Sequence, residues 1–364
     1  VKNREINFVQ NYRLNSRLKL THNFLINCFQ RDYSDSNPES FYYSLTPLLF
    51  GISDYHNNTY LFSILNSISL ENNNIKFSAH HNYYNTDILN STDFGDIILS
   101  VSTIKPFNKY KNIDIKLDFC PTGYNKNNYV IDLNFYKNLK KFDNTLKLLF
   151  LSKKPDFFRE HYNTTYSFDW DEFSSEGIIS LKLNSYLYER KFLISLLLNR
   201  YANYLYFNDL ASPMQSEASI LYFNLQLTKT WDIQKFSFKS SLCFQNSNNL
   251  AISVPFLLYH QKIGYSHNLF NDVILSTSIN GYIFSKYYPN LFFPLTDIFY
   301  QQLEEKTGAI PLISADFFLS KRNFSFGLIF KHLNTIYSKG SYIIPNYIFN
   351  NPTVQLSIKW KFLD

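Results

Sequence analysis

"TVQLSIKWKFLD", residues 353–364, alternates from its first residue to Phe362. Val354, Leu356, Ile358, Trp360 and Phe362 make one set; Thr353, Gln355, Ser357, Lys359 and Lys361 make the other. Successive side chains of a strand point to opposite faces, so this stretch is a strand with one oily face and one wet face. A soluble sheet makes that pattern by packing the oily face on a core. A membrane barrel makes it with the faces exchanged, oil toward lipid and water within.

The same pattern recurs in "RLKLTHNFLINCF" (17–29), "NIDIKLDF" (112–119), "KFSFKSSLCF" (235–244), "VILSTSINGYIF" (273–284) and "NFSFGLIFKH" (323–332). Several of these approach or exceed the roughly ten residues a tilted strand needs to cross a bilayer, where soluble strands run to about five or six. The connections alternate in length too. Long ones cover about 31–59, 84–95, 120–128, 154–176, 207–217, 246–255, 286–309 and 337–352. Short ones lie between: 71–74, 108–112, 138–144, 189–190, 233–234, 271–272 and 321–323. Sorting of loops by length is the connectivity of an outer-membrane barrel, with short periplasmic turns and long external loops. The expectation is an all-β transmembrane antiparallel barrel of about sixteen strands, both termini on the short-turn side. A soluble all-β protein is the rival.

Parity then assigns faces. A bare Lys at mid-bilayer on the lipid side costs roughly 2–4 kcal/mol, so Lys182 faces the lumen, with Asn184, against Ile179, Leu181 and Leu183 outside. The same argument turns Asp114, Lys116 and Asp118 inward, and Asn224 with Gln226. Extended to the other strands, the pore-lining set gains Asp132, Lys239, Asn280, Asp316, Lys331, Gln355, Lys359 and Lys361. Segments 143–154 and 256–265 do not alternate cleanly. Aromatics at strand ends, "NYLYFN" (203–208), "SKYYPNLFF" (285–293) and "WKF" (360–362), read as interfacial girdles.

Composition excludes other classes. Aromatics are 19% of the chain, with 29 Tyr and 36 Phe, a bias that an AT-rich genome also favours, so position carries the argument. A net charge of +6 without a basic run speaks against nucleic acid. Cys28, Cys120 and Cys243 are odd in number and far apart, unsuited to a disulfide framework or a metal site. No apolar run approaches the roughly 20 residues of a spanning helix. Starting at Val1, the chain reads as a mature protein or an excised piece.

From residue 144 onward the chain resembles the "Putative porin" family of the Bacteroidota, predicted outer-membrane barrels. The stretches that carry the resemblance are "EHYNTTYSFDWDEF" (160–173), "NYLYFNDLASPMQ" (203–215), "FQNSNNLAISVPFLLYHQKIGY" (244–265) and "FSKYYPNLFFPLTDIFYQQ" (284–302). "GAIPLISADFFLSKRNFSFGLIFKHLN" (308–334) and "PNYIFNNPTVQLSIKWKFLD" (345–364) are the most specific. The family closes on a Tyr-Pro pair and a strand ending Trp-Arg-Phe; here the pair is blurred to "IFNNP" and the Arg is Lys361. The resemblance implies an outer-membrane pore, members longer upstream, and no catalytic residues.

No HExxH, GxSxG or P-loop is present, and the adjacent His80 and His81 face opposite ways on a strand and cannot chelate together. Asp156, Glu160, Asp169, Asp171 and Glu172 cluster in 156–173, either as a solvated external loop or as a constriction or calcium site. The sequence thus points to one barrel domain over 1–364, with no cofactor and no enzyme activity expected, passing small hydrophilic solutes by passive diffusion. The alternatives are a plugged structural or secretion-related barrel and an outer-membrane hydrolase. Expected partners are outer-membrane lipid, lipopolysaccharide and solutes, with homo-oligomerisation left open.

Overall fold

Period-two patterning in a chain poor in Ala and rich in Ile, Tyr and Phe leaves the backbone little choice but extended structure. The computed structural model describes residues 2–36, 55–86, 92–103, 111–157, 161–162, 168–169, 173–270, 272–293, 297–336, 342–345, 347–348 and 351–362. Seventeen long strands form one antiparallel sheet in which each pairs with the next along the chain. They are β1 (Lys2–Arg13), β2 (Lys19–Asp35), β3 (Tyr55–Glu71), β4 (Ile75–Thr86), β5 (Thr92–Thr103) and β6 (Lys111–Gly123). Then follow β7 (Tyr129–Asn138), β8 (Phe142–Lys153), β9 (Glu176–Leu187), β10 (Phe192–Ala202), β11 (Ile220–Ile233) and β12 (Phe236–Ser247). The last are β13 (Leu257–Asn268), β14 (Val273–Phe284), β15 (Leu312–Lys321), β16 (Phe324–Lys331) and β17 (Thr353–Trp360).

Short and long connections fall on opposite rims, as the loop lengths predict. Four of the tight turns place Lys191, Gln234, Asp272 and Arg322 at φ of 47°, 53°, 64° and 46°, the left-handed region that sharp hairpins require. One expectation fails. β1 pairs with β2 from Lys2↔Gln30 to Arg13↔Lys19, which makes seventeen strands and puts the start of β1 on the long-connection rim. The two ends of the sheet therefore lie on opposite rims, not together on the short-turn side. "KNREINFVQNYR" carries only Ile6, Phe8 and Val9 as strongly apolar residues, too few to reveal a period. β1 and β17 run in the same direction, and among the described residues no ladder joins them.

The sheet curls back on itself. Arg31 on the second strand reaches Asp297, in the connection between β14 and β15, at 3.9 Å. The outer face is oily: Ile279 is 55% exposed, Leu99 49% and Ile179 46%. Trp360 and Phe362 stack at 5.0 Å on that face near the short-turn rim, as an interfacial girdle requires. What is buried instead lies among the long connections, where Leu205, Phe207, Phe293 and Tyr300 are nearly inaccessible.

One backbone position near the long-connection rim is tightly constrained. Gly123 sits at φ +105°, and a Cβ there would fall 1.9 Å from the Gly95 carbonyl oxygen. Beside it the buried Asp96 carboxylate accepts the Asn125 amide at 2.7 Å and its side chain at 2.6 Å. Gly123→Ala is expected to cost at least about 2 kcal/mol, since a strained backbone and a steric clash add. Denaturant unfolding of the reconstituted protein measures it; an unchanged midpoint contradicts the local geometry.

Candidate functional site: the inward wall and its outer cap

Cα partners in an antiparallel ladder present their side chains to the same face, so the registers trace which residues share the inner wall. One row runs Asp114, Asn134, Lys147, Lys182, Leu197, Asn224, Gln245 across seven strands. The next runs Lys116, Asp132, Leu149, Ser180. Asp118 is two residues from Lys116, Asn184 from Lys182, and Gln226 from Asn224, hence on the same face. Beyond β12, Lys239 faces Lys262, which faces Asn280; Ser278 faces Asp316; Asp316 faces Ile329, which faces Gln355. Lys331 and Lys359 share that parity, and Lys361 continues it just past β17, its amide bonded to the Asn323 carbonyl at 2.9 Å. All fifteen residues singled out in the sequence thus lie on one face, opposite the Ile, Leu and Phe of the outer belt.

The registers also assign the two irregular segments. In β8 the inward set is Thr145, Lys147, Leu149 and Leu151; in β13 it includes Leu258, His260 and Lys262. Alternation breaks because the inner wall itself turns apolar near the long-connection rim. The row Val130, Leu151, Ile178, Tyr201, Ile220 is continuous with Asp118, and Ile220 is fully buried.

Lower on the wall the surface is polar and largely self-neutralised. Lys116 pairs with Asp118 at 2.7 Å and Lys147 with Asp132 at 2.8 Å, while Ser100 donates to Asp118. A hollow of about 490 Å³ opens there, among Ser67, Ser78, His80, Ser100, Lys116 and Asp118. Hydroxyls and amides fill the remaining wall: Thr228 bonds Ser241 at 2.8 Å, Ser195 donates to Asn184 at 2.6 Å, and Asn184 donates to Thr145 at 3.0 Å.

Beside this apolar rim the long connections are bonded to the strand ends. Residues 203–219 carry a hairpin of Leu205–Phe207 and Pro213–Gln215, and residues 285–311 one of Leu291–Phe293 and Ile298–Tyr300. The Gln301 amide donates to the Phe207 carbonyl at 2.9 Å, joining the two hairpins. The Leu205 amide donates to Glu176 Oε1 at 3.0 Å, and Lys153 lies 3.5 Å from the same carboxylate. Gln302, buried, donates to the Pro289 and Glu305 carbonyls and accepts the Glu304 and Glu305 amides, all within 2.7–2.9 Å. The Thr307 hydroxyl donates to the Tyr342 carbonyl at 2.6 Å, tying in the third connection. The Tyr342 phenol donates to Glu305 at 2.7 Å, and that carboxylate holds the phenol above its usual pKa.

The hairpins reach the opposite wall. Phe29, Arg31 and Leu61 of β2 and β3 face Tyr206, Asp297 and Phe299 across a cavity of about 510 Å³. The aromatics of 203–208 and 291–293 are therefore not a lipid girdle. Phe207 and Phe293 are buried inside the cap, and Phe292 packs on Phe299 at 5.2 Å. Sequence reasoning missed this because strand-end aromatics carry the same composition whether they turn to lipid or inward. In the acidic loop, Glu160, Asp171 and Glu172, with the side chain of Asp169, lie outside the described residues; Asp156 lines the cap cavity. Among the described residues no group of His, Cys, Asp and Glu is disposed to hold a metal ion.

Solved structures share this architecture. A mutant of the ferric enterobactin receptor PfeA from Pseudomonas aeruginosa superposes with a TM-score of 0.61 at 10% identity, over 91% of this chain and 64% of that one. The siderophore receptor PirA from the same organism gives 0.61 at 12%, over 99% and 69%. BauA, the ferric preacinetobactin receptor from Acinetobacter baumannii, gives 0.55 at 11%, over 98% and 62%. The chain thus spans about two thirds of the length of these receptors, and at such identity they speak for the fold. No curated protein matches the sequence. A family model described as "Putative porin" matches throughout, and the family and the receptor barrels together place the molecule in the bacterial outer membrane. With residues 1–364 all covered by that model, this outer-membrane β-barrel chain belongs to the "Putative porin" family.

Proposed function

We propose that the chain walls a water-filled lumen through which small hydrophilic solutes cross the outer membrane by passive diffusion. The observation that carries this reading is the inward row of charged and amide side chains through Asp114, Asn134, Lys147, Lys182, Asn224 and Gln245, interrupted at Leu197 alone. Such groups at membrane depth need water, and a lined aqueous path supplies it. Selection is by width at the cap and by weak charge bias, without energy coupling or catalysis. The outer belt of Ile, Leu and Phe meets lipid acyl chains.

A second reading, a plugged structural or secretion-related barrel, is favoured by one observation, the hydrogen-bonded hairpins that reach from Phe207 and Gln301 to the wall at Arg31. Planar-bilayer recording separates the two. Stepwise, ohmic conductance is expected of the purified protein; a barrel that stays closed at all voltages rejects the diffusion reading and leaves the plugged one.

A further inference from the structure

Lys239 and Lys262 are direct Cα partners on the inner wall of β12 and β13. Facing side chains in such a pair stand with Cβ atoms about 4.5–5.5 Å apart, and like charges there repel. Elsewhere on this wall the chain resolves the conflict: Lys147, which faces Lys182, is tied to Asp132 at 2.8 Å. At Lys239 and Lys262 it does not. The nearest carboxylates along the registers are committed to other groups. Asp232 is held by Lys191, and Asp316 accepts the Ser278 hydroxyl and, at 3.5 Å, the Asn280 amide. Neither lysine makes an ion pair among the described residues, and both are exposed on the inner side.

The neighbours suit an anion. His260 lies two residues from Lys262 on the same face, its ring stacked on Tyr282 at 4.1 Å, and its buried Nε2 has no hydrogen-bond partner. Asn280 faces Lys262 directly, and Thr230 faces Lys239. Two ammonium groups at this spacing can both reach one tetrahedral oxyanion, each with three donors. We infer that Lys239 and Lys262 form an anion-binding station on the lumen wall, taking a phosphate-type oxyanion, free or carried by a hydrophilic solute. It rests on the reading of the inward face as a lumen and names the solute class that face favours.

Calorimetric titration of the detergent-solubilised full-length protein with inorganic phosphate tests the station without relying on conductance. Saturable binding is expected, weakened about tenfold in Lys239→Gln and in Lys262→Gln, as loss of one charge-assisted bond would give. It is expected to vanish in the double variant and in Lys239→Glu, which supplies the missing carboxylate internally, and to persist in Lys359→Gln. An absence of binding to the wild type, or equal binding by the double variant with its strand content unchanged by circular dichroism, overturns the inference. Bilayer recording then separates the two readings. Conductance indifferent to phosphate and to both substitutions removes the station and leaves the pore; phosphate binding by a protein that never conducts removes the pore and leaves the station.

Discussion

Replacing residues 290–301 by a short Gly-Ser linker is expected to raise single-channel conductance severalfold. This segment holds the hairpin Leu291–Phe293 and Ile298–Tyr300 and the Gln301 amide that bonds the Phe207 carbonyl. Removing it takes away both the Asp297 contact to the wall at Arg31 and the Gln301 bond to the neighbouring hairpin, on one side of the 510 Å³ cavity. The strands carry their own ladders from β14 to β15, so the wall is expected to survive the excision. A gentler version substitutes Gln302→Leu. That leaves the Pro289 and Glu305 carbonyls and two amides without partners, each costing about 1–3 kcal/mol if it stays buried. Flickering openings of larger amplitude are expected of it, short of the full excision level. If both variants conduct like the parent, the cap does not limit passage and the constriction lies lower on the wall.

The cap also marks where sequence stopped being informative. The strands of the belt were legible because a continuous oily outer face follows one rule along its whole length: Ile113, Ile115, Leu117 and Phe119 can be read without knowing any neighbour. Once the oily set is fixed, the wet set follows by parity, which is why Asp114 and Lys359, on strands far apart in the chain, are found on one face. The inner wall obeys no such single rule. At Val130, Leu151, Ile178 and Ile220 it is apolar close to where the hairpin of Leu205–Phe207 is bonded to Glu176, and that long-range bond is invisible in a local window. The same long-range contact turns Phe207 and Phe293 from apparent girdle residues into buried ones. β1 escaped for a different reason. Its partner β2 supplies the ladder that keeps it extended, whatever its own weak period. The lysine pair at 239 and 262 needed the register, since no spacing in the sequence relates two residues on different strands.

Leu197→Arg and Leu198→Arg, one residue apart on β10, are expected to differ by about 2–4 kcal/mol in stability, the second being the worse. Leu197 stands in the inward row between Lys182 and Asn224, while Leu198 faces Leu181 and Phe223 on the outer belt and is 42% exposed. The two share residue type, strand and depth, so helix or strand propensity, volume change and synthesis are matched. Only the medium each guanidinium enters differs. At Leu197 it joins the polar inward row, where the facing Asn224 offers an acceptor and the repulsion from the facing Lys182 is the smaller cost. At Leu198 it must leave water for hydrocarbon or drag water with it, and neither the phenyl ring of Phe223 nor the side chain of Leu181 offers an acceptor. Equilibrium unfolding from lipid vesicles reads the difference directly, and the same pair in a lipid-free fold would give a different answer. If the sheet packed its oily face on protein, Leu198→Arg would prevent folding outright and Leu197→Arg would be neutral in plain buffer. Dependence of the Leu198→Arg penalty on acyl-chain length, larger in thicker bilayers and smaller where thinning brings the headgroups close, is what a lipid-facing position produces and a protein core does not.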